Sequence, residues 1–474
     1  MKKPIYRLTI AITILITLLT IPKFILYGRW INIENANATN DVNINTSDWA
    51  SEQNISYYLP THIIFDTIKS RNQFNIGMDT NGKVYAWGDG SIGKLGFGNP
   101  DDVYVPTLIP ALIDKDIVYF DISNFNALAL DANGSLYIWG FAYLGDDTNQ
   151  TVYGTPTQVS LPSIKFVDAQ ITRDYIIALS DDGYIYYWGA NNYNQGQTTN
   201  NTLTPQKITT ISNVKQVFAQ RETIFALTYN NELYVWGHNE HGNAGIGEIL
   251  DIDSPTKVEF ADNEYVIKMA NNDYHSIVLT NLGNVYTWGQ NTYGMIGNGN
   301  QGNTYYPYLL DVDFIITDVF AGNYASAFKT IDNDIYIWGQ NLYGRFGYGN
   351  DENSYEPIRM NFIDAAYISI GSNHVMVVNT QGILYGIGRN NIGQFGIPTE
   401  NEENDFPILI TEESYVLTST DVYFETLDYD LLSQNGIGNF GFFGWFLVAE
   451  NDIFLYTKKV RGELFLYGKY HYSN

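Results

Sequence analysis

The sequence predicts an all-β protein made of seven repeated antiparallel sheets that close into a ring. Three observations carry this prediction: a Trp-Gly pair recurs every 48 to 52 residues, each pair ends an alternating apolar run, and a glycine-rich loop follows it. Such spacing indicates a repeat architecture, in which each unit buries its faces only against its neighbours. Ile387-Gly388 stands in register as a seventh copy. The repeated tryptophans, which we expect to be structural, are Trp87, Trp139, Trp188, Trp236, Trp288 and Trp338.

Two period-two apolar runs form the centre of each copy, and a short turn joins them. In the second copy, residues 126–130 (NALAL) precede Asp131-Ala132-Asn133-Gly134, and SLYIWG follows. Asx and glycine residues adopt the positive φ that a hairpin turn needs, so each copy predicts a β-hairpin. Where glycine is missing, at residues 229–232 and 331–334, Asn and Asp are the residues most able to take its place.

A glycine-rich loop and then a proline follow each Trp-Gly pair. We expect each proline at the first residue of a short strand, where its missing N–H is tolerated. Each copy is then a small antiparallel sheet, and the sheets must stack to bury their faces. Because eight proline segments flank seven copies, we also expect residues 60–63 to add a strand to the last sheet and close the ring. The prolines are Pro60, Pro106, Pro156, Pro205, Pro255, Pro307, Pro357 and Pro407.

The copies resemble the regulator of chromosome condensation repeat, with its pattern G-x-x-H-s-x-A-L and then G-x-V-Y-x-W-G-x-N-x-x-G-Q-L-G. The resemblance spans residues 57–411, and copies 272–299 and 322–349 match it best. It implies a seven-bladed RCC1-like β-propeller. Kelch repeats have a similar period but carry a Gly-Gly doublet that this chain lacks, and WD repeats place Asp after the tryptophan. The second copy departs from the pattern in its loop FAYLGDD, and the seventh departs at Ile387.

The first 30 residues differ from the rest of the chain. A basic start precedes Leu8–Ile21, which is apolar apart from threonines. This pattern predicts a secretory signal peptide or an uncleaved signal-anchor helix, and residues 8–27 are long enough to cross a bilayer. The A-x-A site at residues 36–38 lies far beyond the apolar core. Both interpretations place the propeller outside the cell, as a single-pass membrane protein or as a secreted one, with residues 31–56 as a linker.

The repeat stops after residue 411, and residues 415–474 are rich in aromatic residues and strand patterns. Phe442, Gly444-Trp445-Phe446 and residues 464–470 (LFLYGKY) resemble Listeria–Bacteroides, or internalin B-type, repeats. That resemblance implies a small β-grasp-like module of the kind found on bacterial surface proteins. The alternative is a further strand-rich cap on the ring. From the residues themselves we expect a small β module whose core contains aromatic side chains such as Trp445 and Tyr467.

Composition excludes several classes of function. The chain carries 51 Asp and Glu against 25 Lys and Arg, a net charge of −26, and nucleic-acid binding needs a basic surface. It has no cysteine, so disulfides, thiolate metal sites and cysteine nucleophiles are excluded. Three G-x-G-x-x-G segments precede no predicted helix, and no G-x-S-x-G elbow is present. We therefore expect no cofactor and no catalytic residues.

Two histidine patterns were weighed as sites. His238-Asn239-Glu240-His241 has metal-ligating residue types without the H-E-x-x-H spacing. The acidic loop 350–353 likewise lacks the D-x-D-x-D-G pattern of a calcium site, so we expect no metal. His275 and His374 stand at the histidine position of the repeat, and we expect them to pack inside the blades.

One set of side chains is a candidate binding surface. Tyrosine or histidine stands five residues after the tryptophan in four copies, and a tyrosine stands four residues after it in another. In a closed ring these side chains repeat around one face, and tyrosine offers rigid, amphipathic contact area. The alternative is that they only pack within the loops. The candidates are Tyr143, Tyr193, His241, Tyr293 and Tyr343.

We therefore expect a non-enzymatic binding or adhesion scaffold at the cell surface, with a propeller face that binds a protein or a glycan. One alternative is a secreted hydrolase with its site in the central channel, which predicts convergent titratable groups with perturbed pKa values there. Another is exchange-factor activity on a small GTPase, which the resemblance implies for eukaryotic members. The export signal argues against a cytosolic partner, and a chemically bland channel would favour the scaffold.

Overall fold

The computed structural model describes residues 63–141, 152–159, 161, 164–197, 201–362, 364–397, 403–410, 445–448, 453–460 and 463–470. The chain divides into two compact units. Residues 62–411 form one unit, and residues 1–61 together with 412–474 form the other.

The larger unit contains seven four-stranded antiparallel sheets, which are the blades of a β-propeller. Each blade takes its four strands from one contiguous stretch of chain, so the predicted all-β, seven-bladed fold is confirmed. Blade 1 contains β1 (Phe65–Arg71), β2 (Phe74–Asp79), β3 (Val84–Gly88) and β4 (Val103–Leu108); blade 2 contains β5 (Ile117–Ile122), β6 (Asn126–Asp131), β7 (Leu136–Phe141) and β8 (Val152–Gln158); blade 3 contains β9 (Phe166–Ile171), β10 (Tyr175–Ser180), β11 (Ile185–Gly189) and β12 (Thr202–Lys207); blade 4 contains β13 (Val214–Gln220), β14 (Thr223–Thr228), β15 (Leu233–Gly237) and β16 (Ile252–Lys257).

The remaining three blades repeat the same plan. Blade 5 contains β17 (Val266–Asn272), β18 (His275–Thr280), β19 (Val285–Gly289) and β20 (Thr304–Leu309); blade 6 contains β21 (Ile316–Gly322), β22 (Ala325–Thr330), β23 (Ile335–Gly339) and β24 (Ser354–Arg359); blade 7 contains β25 (Ala365–Ile370), β26 (His374–Asn379), β27 (Leu384–Arg389) and β28 (Glu403–Ile410). Three short 3-10 turns, at 91–93, 110–112 and 342–344, lie between the described strands.

The predicted hairpins are the second and third strands of each blade. In blade 5, His275 pairs with Gly289 and Leu279 with Val285. Asn231 and Asn333 have φ values of 65° and 62° in the turns that lack glycine, as the sequence predicts. The first strand of every blade carries a β-bulge near its start, for example between Val266 and Lys268. Bulges increase the local twist of a strand.

The seven prolines from Pro106 to Pro407 lie within the fourth strand rather than at its first residue, which corrects the prediction, and Pro60 lies outside the described residues. Pro106, for example, is the fourth residue of β4, and Pro307 is the fourth residue of β20. The fourth strand is the outer edge of each sheet, and each contains a register shift against the third strand. An edge position with a local bulge can accommodate a residue that has no N–H.

Side-chain and backbone contacts close the ring between blade 7 and blade 1. All four strands of blade 7 come from residues 365–410, and Ile63 is not part of a strand, while residues 60–62 lie outside the described residues. The Phe65 N–H donates to the Gly382 carbonyl (3.0 Å), and the Ser70 N–H donates to Ser369 Oγ (2.7 Å). These contacts close the ring in the described part of the chain, and the hypothesis for residues 60–63 stays a prediction because residues 60–62 lie outside the described residues.

The second unit contains a three-stranded antiparallel sheet in the order β29 (Trp445–Val448), β30 (Ile453–Val460) and β31 (Glu463–Tyr470). The predicted small β module therefore has strands at Trp445-Phe446 and at Tyr467, and its likeness to internalin B-type repeats stays a prediction. The predicted membrane helix falls outside the described residues. No helix within the described ranges is long and apolar enough to cross a membrane.

Candidate functional site

The antiparallel strands give the propeller two different faces. The turn between the first and second strands lies at one end of each blade, together with the glycine-rich loop between the third and fourth strands. We call this end the loop face; it includes turn 273–274 and loop 290–303. The opposite end, the turn face, carries the hairpin turns such as 330–334 and the connections between blades such as 310–315.

The repeated tryptophans join each blade to the preceding one. All six are fully buried. The Trp288 indole N–H donates to the Asn243 carbonyl of blade 4, and Trp338 donates in the same way to Met295 of blade 5, both at 2.8 Å. Trp87 of blade 1 donates to Gln394 of blade 7 at 3.0 Å, so the ring closes with the contact used between the other blades.

The glycines of the loops make room for these tryptophans. A Cβ at Gly297, which has φ +78°, would lie 2.7 Å from the Trp338 indole nitrogen, and a Cβ at Gly396 would lie 2.8 Å from the Pro106 ring. Positive φ and close approach both require glycine here. The G-x-G-x-x-G segment beginning at Gly297 is therefore a packing surface in a loop.

The junction between blades 6 and 7 is different, because Ile387 replaces the tryptophan. Arg345 of blade 6 is fully buried there. Its guanidinium donates five hydrogen bonds of 2.6 to 2.9 Å to the carbonyls of Gln340, Gly371, Ser372 and Asn323. Since all five donors are used, no N–H remains for an external anion. Burial lowers the pKa of Arg345 to about 9. Since this value still lies above neutral pH, the side chain is charged there.

The predicted binding residues Tyr193, His241, Tyr293 and Tyr343 all lie on the loop face and are half-buried. Each contacts the following blade. The Tyr193 ring lies 4.1 Å from the ring of His238, and Tyr343 accepts a hydrogen bond from Arg389 at 3.2 Å. These residues therefore pack between blades and keep part of their rings exposed. Tyr143 lies outside the described residues, and the structure leaves the binding role of the whole set as a prediction.

Three residues that the sequence analysis missed, together with His238, which it weighed only as a metal ligand, extend this set into one surface. Tyr274 and Tyr324 stack with centroids 5.8 Å apart, and Tyr293 meets Tyr324 edge-on at 5.1 Å. Arg221 donates to the Tyr274 hydroxyl at 3.0 Å. The missed signal is the aromatic residue directly before the second strand in several copies. We call the surface the aromatic crescent: Tyr193, Arg221, His238, His241, Tyr274, Tyr293 and Tyr324.

Charged groups surround the crescent without forming a deep pocket. The His238 ring lies 2.8 Å from Asp251 and 3.4 Å from Glu240. Burial raises the pKa of Glu222, which lies beside Arg221. The recess that these residues line has a volume of about 10 Å³, room for one water molecule. No group of three or more metal-ligating side chains occurs within the described part of the chain.

The other two weighed histidines are buried inside the blades. His374 Nε2 lies 2.8 Å from Asn75 Oδ1 of blade 1, across the ring closure. Burial lowers the pKa of His275 to about 4 and that of His374 to about 3, so both rings are neutral at pH 7.

The inner strands line a channel that contains several titratable groups. Lys69 donates to Asp121 at 2.8 Å and to the Tyr119 hydroxyl at 3.2 Å. Burial raises the pKa of Tyr119 and raises that of Asp168 to about 6. The channel thus contains titratable groups with perturbed pKa values, which is the condition that the hydrolase alternative predicts.

These channel carboxylates are also tied to backbone groups. Asp121 accepts from the Ile171 N–H and Asp168 from the Val217 N–H, both at 3.0 Å. Each bond runs from the first strand of one blade to the first strand of the next. The first strand is an edge of its sheet, so these bonds satisfy N–H groups that the sheet leaves unpaired.

The fold and the inter-blade contacts define a seven-bladed β-propeller with a Trp-Gly repeat. Comparison with known proteins assigns the repeat. The regulator of chromosome condensation (RCC1) repeat model matches residues 81–130, 230–279, 283–328 and 332–378, and a second model of that repeat matches 266–294. This chain is a propeller that contains RCC1 repeats.

Similar proteins include a receptor and a ubiquitin-protein ligase. The ultraviolet-B receptor UVR8 of Arabidopsis thaliana is 29% identical over 342 residues, 69% of this chain and 77% of the receptor. The human E3 ubiquitin-protein ligase HERC2 is 28% identical over 241 residues, which is 49% of this chain and only 5% of the ligase. The structure of Prp20p from Saccharomyces cerevisiae has a TM-score of 0.58 at 21% identity, covering 64% of this chain and 80% of Prp20p. At that identity the likeness to Prp20p shows the fold.

Proposed function

We propose that this protein is a non-enzymatic, protein-binding scaffold that uses the loop face of its propeller. The observation that carries the proposal is the aromatic crescent. Its rings are held by contacts between blades, so they offer large contact area at a small loss of conformational entropy on binding. Aromatic and arginine side chains of this kind are enriched at the energetic centres of protein interfaces.

Two further observations support a macromolecular partner. The recess at the crescent admits one water molecule, whereas small-molecule sites are usually concavities of about 300–1,000 Å³. Prp20p, which shares the fold, is described by its binding to Gsp1p and histones. A protein is therefore the favoured ligand class, and a glycan stacked on the tyrosines is the competing occupant of the same surface.

The binding proposal is tested by photo-crosslinking at single sites. A benzophenone side chain replaces Tyr293 in the crescent or, as a control, Tyr306 on the outer strand β20, where the side chain is 65% exposed. We expect defined protein adducts from position 293 that are absent from position 306. Identical adducts from both positions, or none from position 293, would refute the use of the loop face. Glycan-containing adducts confined to position 293 would replace the protein by a glycan.

We further propose that the propeller acts outside the cell, secreted or anchored in the membrane by its N-terminal segment. Support comes from the basic start and the apolar residues 8–27. Protease treatment of intact producing cells tests this location with antibodies to both ends of the chain. Loss of the propeller signal before lysis is expected. Full protection until lysis would refute the location and restore exchange-factor activity on a small GTPase as the alternative.

Hydrolysis in the channel is the second candidate, and Asp168 is the observation that favours it. A carboxyl with a pKa of about 6 can transfer protons near neutral pH. The bond from the Val217 N–H gives this carboxylate a structural role, which is why we favour the scaffold. A hydrolytic activity with an apparent pKa near 6 that Asp168→Asn abolishes, while the fold is retained, would reverse this preference.

A further inference from the structure

The turn face of blades 4 to 6 exposes large apolar side chains at positions that usually hold polar residues. Tyr229, Leu282 and Ile331 lie in the hairpin turns of three consecutive blades and are 67%, 60% and 58% exposed. Ile315, 68% exposed, lies beside Ile331, whose N–H donates to the Ile315 carbonyl at 2.9 Å. Phe314 precedes it and packs 4.5 Å from Tyr336. Adjacent exposed apolar side chains such as Ile315 and Ile331 are typical of interaction sites.

Acidic residues surround these side chains. The hairpin turns and inter-blade connections of blades 4 to 6 contain nine Asp and Glu residues and no Lys or Arg. The corresponding connections of blades 1 to 3 contain six Asp residues and three lysines, so the excess of acidic residues is larger on the blade 4 to 6 half of the face. The six connections of the acidic half are 228–232, 258–265, 280–284, 310–315, 330–334 and 360–364.

Cations on the neighbouring strands do not neutralise this charge. Lys257 lies 3.4 Å from Glu232 and 3.5 Å from Glu259, and Arg359 lies 2.6 Å from Asp334. Each of these cations is shared with carboxylates of the connections, and the excess of acids remains. An apolar surface inside an acidic rim is complementary to a ligand that presents apolar and cationic side chains together.

We propose that the turn face of blades 4 to 6 docks a basic, amphipathic segment of a partner protein. The charge favours this occupant over two others. A second copy would place the same acidic rim against itself in a symmetric dimer, and an anionic bilayer would be repelled by it. The surface lies opposite the aromatic crescent, so this inference does not depend on the proposed function of the loop face.

The experiment measures binding of the full chain to a fluorescein-labelled 16-residue helical peptide of lysine and leucine by anisotropy. The comparison peptide has serine in place of every leucine and the same charge. We expect the Lys/Leu peptide to bind about ten-fold more tightly than the Lys/Ser peptide, since apolar burial adds to charge attraction. We also expect its affinity to fall as salt rises.

Paired variants locate the binding. Ile315→Ser with Ile331→Ser should remove most of the about ten-fold preference for the Lys/Leu peptide, whereas Leu250→Ser, an equally exposed leucine on the loop face, should leave it unchanged. Asp313→Asn with Asp332→Asn should weaken binding about three-fold and flatten the salt dependence. The control pair Asp114→Asn with Asp116→Asn, in the connection between blades 1 and 2, should change neither the affinity nor the salt dependence. Unchanged urea midpoints show that the variants are folded.

Three results would overturn the proposal. The first is a preference for the Lys/Leu peptide that survives the double isoleucine substitution. The second is binding of phosphatidylglycerol vesicles that this substitution abolishes, which would assign the surface to a bilayer. The third is a concentration-dependent dimer of the full chain that the substitution dissociates, which would assign it to a second copy.

Discussion

Replacing Arg345 by methionine tests whether this side chain substitutes for the missing tryptophan of blade 7. Methionine is a suitable replacement, because Met295 occupies the same loop position in blade 5 and is fully buried there. The loop therefore accommodates a methionine, and any loss of stability reports the missing hydrogen bonds rather than a steric clash.

The magnitude follows from the bonds of the guanidinium. Four carbonyls each lose a bond to a charged donor, worth about 2 kcal/mol apiece and about 8 kcal/mol together. Methionine also removes the unfavourable burial of the cation. The fall of the Arg345 pKa from 12.5 to about 9 corresponds to about 5 kcal/mol. We therefore expect Arg345→Met to lower the free energy of unfolding by about 3 kcal/mol.

The assay is urea denaturation followed by tryptophan fluorescence and by far-UV circular dichroism, with the two probes compared because a repeat protein need not unfold in one step. Arg345→Lys is the graded control: an ammonium group has three donors and should recover part of the loss. A change below about 1 kcal/mol for Arg345→Met would show that the hydrogen bonds of Arg345 do not stabilise the junction between blades 6 and 7, since it would lie within the range of ordinary surface substitutions.

Three other predictions concern single contacts. Trp288→Phe leaves the Asn243 carbonyl without its donor and should cost about 2–3 kcal/mol in urea denaturation, and no loss would show that the indole bond is unimportant. Asp168→Asn should raise the melting temperature at pH 7.5 and match the wild type near pH 4.5. The pKa of Asp168 is about 6 in the folded protein and about 3.9 in the unfolded chain, so the wild type loses stability as pH rises through 6. Because Asp168 is partly exposed, this loss is limited to about 1–2 kcal/mol. A difference in melting temperature that stays constant across pH would contradict the prediction. Gly396→Ala should destabilise the protein by about 2 kcal/mol more than Gly283→Ala. Both glycines have a positive φ, but no atom lies within 4 Å of a Cβ added at Gly283. Equal effects would mean that ring closure does not depend on the close contact between Gly396 and Pro106.

Much of the fold was predictable because its determinants are local and repeated. The period of the Trp-Gly pairs, the Asx turns and the alternating runs each specify the hairpin without knowledge of distant residues. The position of Pro106 within β4 was not predictable in the same way, because it depends on a bulge and on which strand forms the sheet edge. The contact between blades 7 and 1 was also not predictable, because the Trp87 bond to Gln394 joins residues 307 apart in sequence.

The candidate site was only partly accessible to sequence reasoning. Spacing from the tryptophan found Tyr193, His241, Tyr293 and Tyr343, because loops of equal length place them on one face. Arg221, Tyr274 and Tyr324 come from a different turn, and only the stacking of neighbouring blades brings the two sets together. The channel carboxylates were missed because a single Asp in an apolar run carries no signal of the backbone N–H it meets.

The proline in each outer strand has a consequence for solubility. A propeller of seven separate sheets presents seven outer edges to solvent, and an open edge is a template for uncontrolled strand pairing between molecules. The fourth strand pairs only with the third strand of its blade, and proline is tolerated there where its missing N–H would have pointed away from the third strand. That N–H is one of the donors that an incoming strand would need. The proline in each outer strand therefore opposes β-augmentation and edge-to-edge aggregation at the rim. A partner of this propeller is therefore expected to be recognised through side chains rather than through backbone pairing at the outer strands.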